Sequence, residues 1–175
     1  MENAMLVAPP SPTVTLKTRT GFELAVRAAE PTDEALLEHF FAAVSPEDLR
    51  FRFLSALDHV GHDKLAQLVR VDHWQTESFL AFDNDDRLVA TAMLACAPAM
   101  DVGEVAISMR ADVKGRGIGW TLLEHVAHEA QRRGVKRLQC IESRENHYAV
   151  ELEREMGFKA IDSGDPSIII LEARF

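Results

Sequence analysis

The chain has 175 residues, a formal net charge of −9 and a hydrophobic share of 47%, a composition typical of one soluble globular domain. The acidic balance disfavours nucleic-acid binding, which needs a basic face, and the longest apolar run is shorter than the roughly 20 residues that cross a bilayer. We therefore expect a cytoplasmic protein without nucleic-acid or membrane partners, in which Cys96 and Cys140 are buried, reduced thiols.

The first part of the chain passes from an irregular pattern to strand and then helix patterns. Residues 1–13 are rich in proline and predict a disordered tail, whereas 14–29 alternate with a period of two and predict an edge hairpin. Helical spacing follows over 30–44. Residues 45–57 open with serine and proline, which favour a helix start, and a third short helix is predicted over 62–71.

The second part alternates between strands and helices. Residues 77–96 form two strand-like runs around an Asp-Asn-Asp-Asp turn. The later elements are a strand at 103–110, a helix at 117–134, a strand at 135–142, a helix at 146–157 and a closing strand at 167–175. This order predicts one α/β domain over 14–175, with a mixed sheet that is largely antiparallel at first and has one or two parallel crossovers near its end.

Three glycines at alternate positions stand between a strand and the long helix, in the stretch VKGRGIGW (113–120). Such a junction is a generic anion site, because free backbone N–H groups and the positive helix end point at the ligand. A P-loop fails here, since Trp120 and Thr121 occupy its required positions. A dinucleotide fingerprint also lacks its third glycine at Trp120, although Glu142 lies roughly where its ribose-binding acid would.

A third interpretation fits the loop. Residues 109–138 resemble the acyl-CoA-binding motif of the GNAT N-acetyltransferase superfamily, [Q/R]-x-x-G-x-[G/A], with lysine in the glutamine or arginine position. The resemblance implies that backbone amides of the loop cradle the CoA pyrophosphate and that the backbone of Met109 binds the pantetheine arm. The loop residues expected at this site are Lys114, Gly115, Arg116, Gly117, Ile118, Gly119 and Trp120.

A second motif supports the resemblance. The segment ENHYAVELEREMGF (145–158) is similar to the superfamily pattern N-x-x-A-x₇-G-F, in which Asn146 would cap the helix and contact CoA. Together with SPEDLRFRFLSAL, VDHWQTESFLAF and GEVAISMRADVKGRGIG, it resembles the catalytic domain of bacterial Pat-type protein lysine acetyltransferases, over about residues 22–175. The implied fold is a mostly antiparallel sheet flanked by helices, with strands splayed at the CoA site.

The resemblance also suggests how the reaction proceeds. A lysine amine with a pKa of ~10.4 must lose a proton before it attacks a thioester, and Glu104 matches the glutamate that serves as base in Pat-type domains. Its spacing to Met109 places the two side chains on opposite faces of a strand, although a bulge could re-aim either one. Asp72 and His73 are candidates to line the acceptor cleft. His73 is a fallback base.

One family feature is missing. Many superfamily members place a tyrosine seven residues after the asparagine as general acid, whereas this position holds Glu153 and the only tyrosine is Tyr148. Pat-type domains commonly lack that tyrosine as well. The donor of a proton to the CoA thiolate is therefore unassigned by sequence, with solvent as a sufficient source for a thiol of pKa ~8.5.

The leading hypothesis is an acetyl-CoA-dependent N-acetyltransferase that acts on protein lysines, as a monomer or homodimer. A small-molecule amine acetyltransferase and a non-catalytic acyl-CoA-sensing module are the alternatives. The histidines His125 and His128 lack the H-E-x-x-H arrangement, so no metal is expected.

Overall fold

The computed structural model describes residues 7–55, 57 and 59–175. Its strands are β1 (Val14–Lys17), β2 (Glu23–Ala28), β3 (Thr76–Phe82), β4 (Leu88–Cys96), β5 (Val102–Met109), β6 (Arg137–Ser143), β7 (Lys159–Ile161) and β8 (Ile168–Arg174). Its helices are α1 (Glu34–Ala42), α2 (Pro46–Phe53), α3 (His62–Val69), α4 (Ile118–Arg132) and α5 (His147–Glu155). Short 3₁₀ turns occur at Pro31–Asp33 and Ala111–Val113.

The strands form one sheet in the order β1-β2-β3-β4-β5-β6-β8-β7. Neighbouring strands are antiparallel except for β5 and β6, which are parallel and joined by the α4 crossover. The predicted mixed, mostly antiparallel α/β sheet is therefore confirmed. The edge strand β7 was not predicted, because its three residues are all exposed and show no alternation of buried and exposed positions.

The parallel pair β5–β6 separates soon after it begins. Among the described residues, its pairing consists of Val102 with Arg137, Gly103 with Leu138 and Glu104 with Gln139. Beyond Glu104 and Gln139, β5 continues to Met109 and β6 continues to Ser143, but the two strands no longer pair with each other. We call this gap the wedge and the Glu104–Gln139 pair its apex. The predicted splaying of strands is thus confirmed.

Helices cover both faces of the sheet. One face carries α1, α2 and α3, whose buried side chains form a cluster with Leu80 and Leu88. On the other face, buried residues of α4 pack with Phe79, Leu94 and Val105, and partly buried residues of α5 join this cluster. The wedge therefore lies between α2 on one face and α4 and α5 on the other.

The described part of the N-terminal segment contacts the domain. The N–H of Ala8 donates to the carbonyl oxygen of Asp72 at 2.9 Å, and the hydroxyl of Ser11 donates to the buried carboxylate of Glu77 at 2.9 Å. Residues 1–6 of the predicted tail lie outside the described residues. Cys96 and Cys140 are both buried and free of a disulfide.

Within the described ranges, no helix combines the length and apolar character needed to cross a membrane.

Candidate active site

A pocket of about 360 Å³ fills the wedge. The wall from β5 consists of residues 105–109, and the wall from β6 consists of residues 140–142. The first turns of α4 contribute Gly119 and Leu123, α2 contributes Asp48, Phe51 and Arg52, and α5 and its cap contribute Asn146, Tyr148, Ala149, Leu152 and Glu153. The pocket is thus a channel that opens between two parallel strands and is bordered by a helix N-terminus.

The glycine loop leaves the N-terminus of α4 open to an anion. Gly117 is the N-cap residue of α4 with a φ of 78°, a left-handed conformation that favours glycine. In the described structure no side chain caps this helix end, and its first turn contains no acidic residue. The first N–H groups of a helix lack intrahelical partners, so this end offers donors and a positive dipole end to a phosphate.

Two residues of the loop border the pocket itself. Lys114 lines the pocket and forms an ion pair with Asp48 of α2. Gly119 lines it beside Met109, and a Cβ atom at position 119 would lie 3.3 Å from the terminal methyl of Met109. A larger side chain at position 119 would thus crowd the Met109 side chain in the pocket wall.

The other predicted loop side chains point elsewhere. Arg116 is exposed, and its carbonyl oxygen accepts a hydrogen bond from the hydroxyl of Thr20 at 2.7 Å. Ile118 is a core residue with 1% exposure. The ring of Trp120 faces a separate groove, where the guanidinium of Arg19 stacks 3.6 Å from its centroid. Any contact of Ile118 and Trp120 with a ligand in the wedge would therefore come through the backbone.

Asn146 connects the helix end to the pocket. Its side-chain oxygen accepts a hydrogen bond from the N–H of Ala149 at 3.4 Å and so caps α5. Its amide nitrogen donates to Glu142 Oε2 at 3.3 Å. The predicted cap is confirmed, and the same side chain also fixes a carboxylate in the pocket wall.

Glu104 lies at the apex of the wedge and is exposed. Val105 packs in the cluster of α4, so strand alternation directs Glu104 to the opposite face, which α2 covers. Burial lowers the pKa of Arg52 on α2, and the negative charges of Glu104 and Glu142 oppose that lowering. Glu104 is thus a solvent-accessible carboxylate within electrostatic reach of the pocket residue Arg52.

Asp72 and His73 lie in the turn before β3, and the structure does not bring them to the pocket. The carboxylate of Asp72 accepts hydrogen bonds from the N–H groups of Trp74 at 3.0 Å and Thr76 at 2.8 Å. His73 Nδ1 lies 2.9 Å from Oε1 of the buried Glu77. Both residues hold the entry to β3 in place.

Sequence reasoning missed a buried acid cluster in the pocket wall. Glu153 of α5 is 5% exposed, and burial together with the neighbouring Glu142 carboxyl raises its pKa to about 10. Burial also raises the pKa of the Cys140 thiol, and the nearby Glu153 and Glu142 carboxyl groups add to this effect. The available signal was the helical spacing of Ala149, Glu153 and Met156, which puts a carboxylate on the inward side of α5.

Over residues 7–55, 57 and 59–175, no group of three or more His, Cys, Asp or Glu side chains is arranged to hold a metal ion.

A sequence model described as the acetyltransferase (GNAT) family matches residues 45–158. The chain belongs to this family. It is an acyltransferase that uses acetyl-CoA as its donor. The open helix end and the channel between the separated strands suit such a donor, whose pyrophosphate is followed by a slender pantetheine arm that ends in the thioester.

Individual relatives agree with this assignment. Acetyltransferase PA5475 of Pseudomonas aeruginosa is 25% identical over 154 residues, which cover 86% of this chain and 83% of that protein. The GNAT domain of S. lividans PAT has a TM-score of 0.87 at 23% identity, covering 93% of this chain and 97% of that one. An acetyltransferase from Thermus thermophilus has a TM-score of 0.72 at 22% identity, covering 93% and 100%. The two solved structures establish the shared fold.

Proposed function

We propose that this acetyltransferase transfers the acetyl group from acetyl-CoA to the side-chain amine of a protein lysine, with Glu104 as the general base. One observation carries the proposal: Glu104 is an exposed carboxylate at the apex of the wedge, on the face that α2 covers. An amine that enters from outside can reach it without crossing the sheet.

The donor would lie along the wedge. The uncapped N-terminus of α4 and the amides of residues 114–120 would hold the pyrophosphate, and the unpaired edge of β5 would hold the pantetheine arm. Glu104 and Met109 are five residues apart in an extended strand, or about 17 Å. The thioester would therefore lie between them, with Met109 toward the pantetheine and Glu104 acting through a water.

The net charge of the chain and the exposure of Glu104 favour a protein lysine as the acceptor. A protonated lysine side chain is long, flexible and cationic, so it can extend from a protein surface to an exposed carboxylate on a chain of net charge −9. The likeness of the sequence to Pat-type domains supports the same acceptor. The fold that the chain shares with the GNAT domain of S. lividans PAT is compatible with it.

The base is tested by replacing Glu104 with glutamine. General-base catalysis contributes about 10²–10⁴-fold, so Glu104→Gln should lower the transfer rate at least tenfold at neutral pH. Acetyl-CoA affinity measured by calorimetry should stay unchanged, because the residue lies outside the pocket lining. An unchanged rate would eliminate Glu104 as base.

Asp101→Asn provides the matched control. Asp101 is also an exposed carboxylate, and it immediately precedes β5, but it lies before the strands pair and not at the apex. The control should keep the wild-type rate. A loss in both variants would show that general negative charge near β5, and not a specific base, supports the reaction.

A further inference from the structure

The carboxyl group of Glu153 is the most deeply buried acid in the pocket wall. It is 5% exposed, and within the part of the chain that the structure describes no donor group points at its Oε2 atom. Its neighbours are the Glu142 carboxyl and the Cys140 thiol, both on β6. The hydrogen bond with the Cys140 thiol, a weak donor, lowers the pKa of Glu153, but burial and the neighbouring Glu142 carboxyl raise it by more, so this environment favours the neutral acid.

The pairing with Glu142 shows which carboxyl holds the proton. Two adjacent carboxylates form a hydrogen bond only if one of them is protonated. Burial raises the pKa of Glu142, whereas the hydrogen bonds with Glu153 and Asn146 and the positive charge of Arg52 oppose that rise and favour its ionised form. Glu153 has the pKa of about 10. The resting arrangement is therefore a protonated Glu153 that donates to an ionised Glu142.

Glu153 and Glu104 lie on opposite faces of the wedge, which relates Glu153 to the acetyl-transfer reaction. Cys140 follows Gln139, the β6 residue of the apex, and Glu153 contacts Cys140 from α5. Glu153 therefore lies just inside the apex on the face of α4 and α5, whereas Glu104 lies on the face of α2. An amine approaching from the side of Glu104 would drive the sulfur toward the side of Glu153.

We propose that Glu153 is the general acid that protonates the thiolate of CoA as it leaves, with Glu142 as the residue that keeps this acid protonated until then. The proposal rests on the acetyl-transfer reaction of the proposed function. It assigns a catalytic role to the position where the sequence lacks the tyrosine of related enzymes.

The lysine ammonium first loses a proton to solvent by way of Glu104; the neutral amine nitrogen then forms a bond to the carbonyl carbon and loses its second proton to Glu104. The carbon–sulfur bond breaks, its electron pair stays on sulfur, and sulfur takes the proton of Glu153 to give the CoA thiol. After the products leave, Glu153 regains a proton from solvent and Glu104 releases its own to solvent.

A carboxyl group with a raised pKa is suited to protonating a thiolate at neutral pH. An ordinary carboxyl with a pKa near 4.3 is ionised at neutral pH and has no proton to give. A carboxyl with a pKa of about 10 holds its proton and lies close to the ~8.5 of a thiol, so the transfer is nearly balanced. The charged or titratable groups that act on the cluster are Cys140, Glu142, Glu104 and Arg52.

The first test is Glu153→Gln, with Glu151→Gln as control. Glu151 is an exposed carboxylate two residues earlier on the same helix. With acetyl-CoA and any amine that the enzyme accepts, Glu153→Gln should lower kcat at least tenfold at unchanged acetyl-CoA affinity, and Glu151→Gln should not. Infrared spectra at pH 7 should show a protonated carboxyl band in the wild type that Glu153→Gln lacks. A wild-type kcat in Glu153→Gln, or identical bands, overturns the proposal.

The second test is the pH profile of Glu142→Gln. Removing Glu142 takes away a charge and a hydrogen-bond partner that raise the pKa of Glu153, so the fall of kcat on the basic side should begin at lower pH. A profile that matches the wild type contradicts the role of Glu142. These readouts differ from those for Glu104, whose loss affects removal of the amine proton and leaves the infrared band in place. An acceptor other than a protein lysine would also leave the infrared band and the shift of the pH profile unchanged.

Discussion

Replacement of Glu153 by glutamine should stabilise the protein relative to the wild type, and the difference should grow as the pH rises. The folded chain keeps on Glu153 a proton with a pKa of about 10, whereas the unfolded chain releases it above an ordinary value of 4.5. The unfolded state thus binds fewer protons between these values, so stability that is present below pH 4.5 is lost progressively toward pH 10. Each pH unit in this window costs about 1.4 kcal/mol, which amounts to about 3 kcal/mol by pH 7.

Urea denaturation of the wild type and the variant at pH 6, 7 and 8 measures this difference. Glutamine cannot ionise, so the unfolding free energy of Glu153→Gln minus that of the wild type should grow by about 3 kcal/mol from pH 6 to pH 8. The exposed control Glu151→Gln should follow the wild type. Parallel curves for the wild type and Glu153→Gln would refute the argument that Glu153 is buried as a neutral acid.

Two further predictions concern the loop and the core. Gly117→Val places a β-branched residue at a φ of 78°, so calorimetry should show at least a tenfold loss of acetyl-CoA affinity. The control Gly164→Val, at a φ of 76° in an exposed loop, should keep the wild-type affinity. Equal affinities in the two variants would contradict the role of the glycine loop. Glu77→Gln weakens a fully buried ion pair with Arg133 and should cost about 3 kcal/mol in urea denaturation. Arg50→Ala removes an exposed pair and should cost under about 1 kcal/mol; comparable losses in the two variants would count against that reasoning.

The regular elements and the loop could be predicted because their signals are local. The helix predicted at 117–134 is observed as Ile118–Arg132, since its apolar stripe and flanking glycines mark both ends. The cap at Asn146 was equally local. The wedge could be expected only from the family resemblance, because no residue pattern indicates where two parallel strands stop pairing.

The acid cluster could not be predicted because it depends on distant residues. Helical spacing directs Glu153 to the inward side of α5, but Glu142 lies on a different element, and the sequence does not show that the two carboxyl groups meet. The predictions for Asp72 and His73 relied on their place before a strand. In the fold, that place is a turn whose hydrogen bonds occupy both side chains.

Mass spectrometry with isotopically labelled acetyl-CoA tests the central claim most directly. A cell lysate would be incubated with the wild-type protein, with Glu104→Gln and with Asp101→Asn, and the proteins then digested and searched for labelled acetyl-lysine. The account predicts labelled lysine side chains with the wild type and Asp101→Asn, and at least tenfold less label with Glu104→Gln. Release of CoA with small amines but no labelled protein lysine would contradict it.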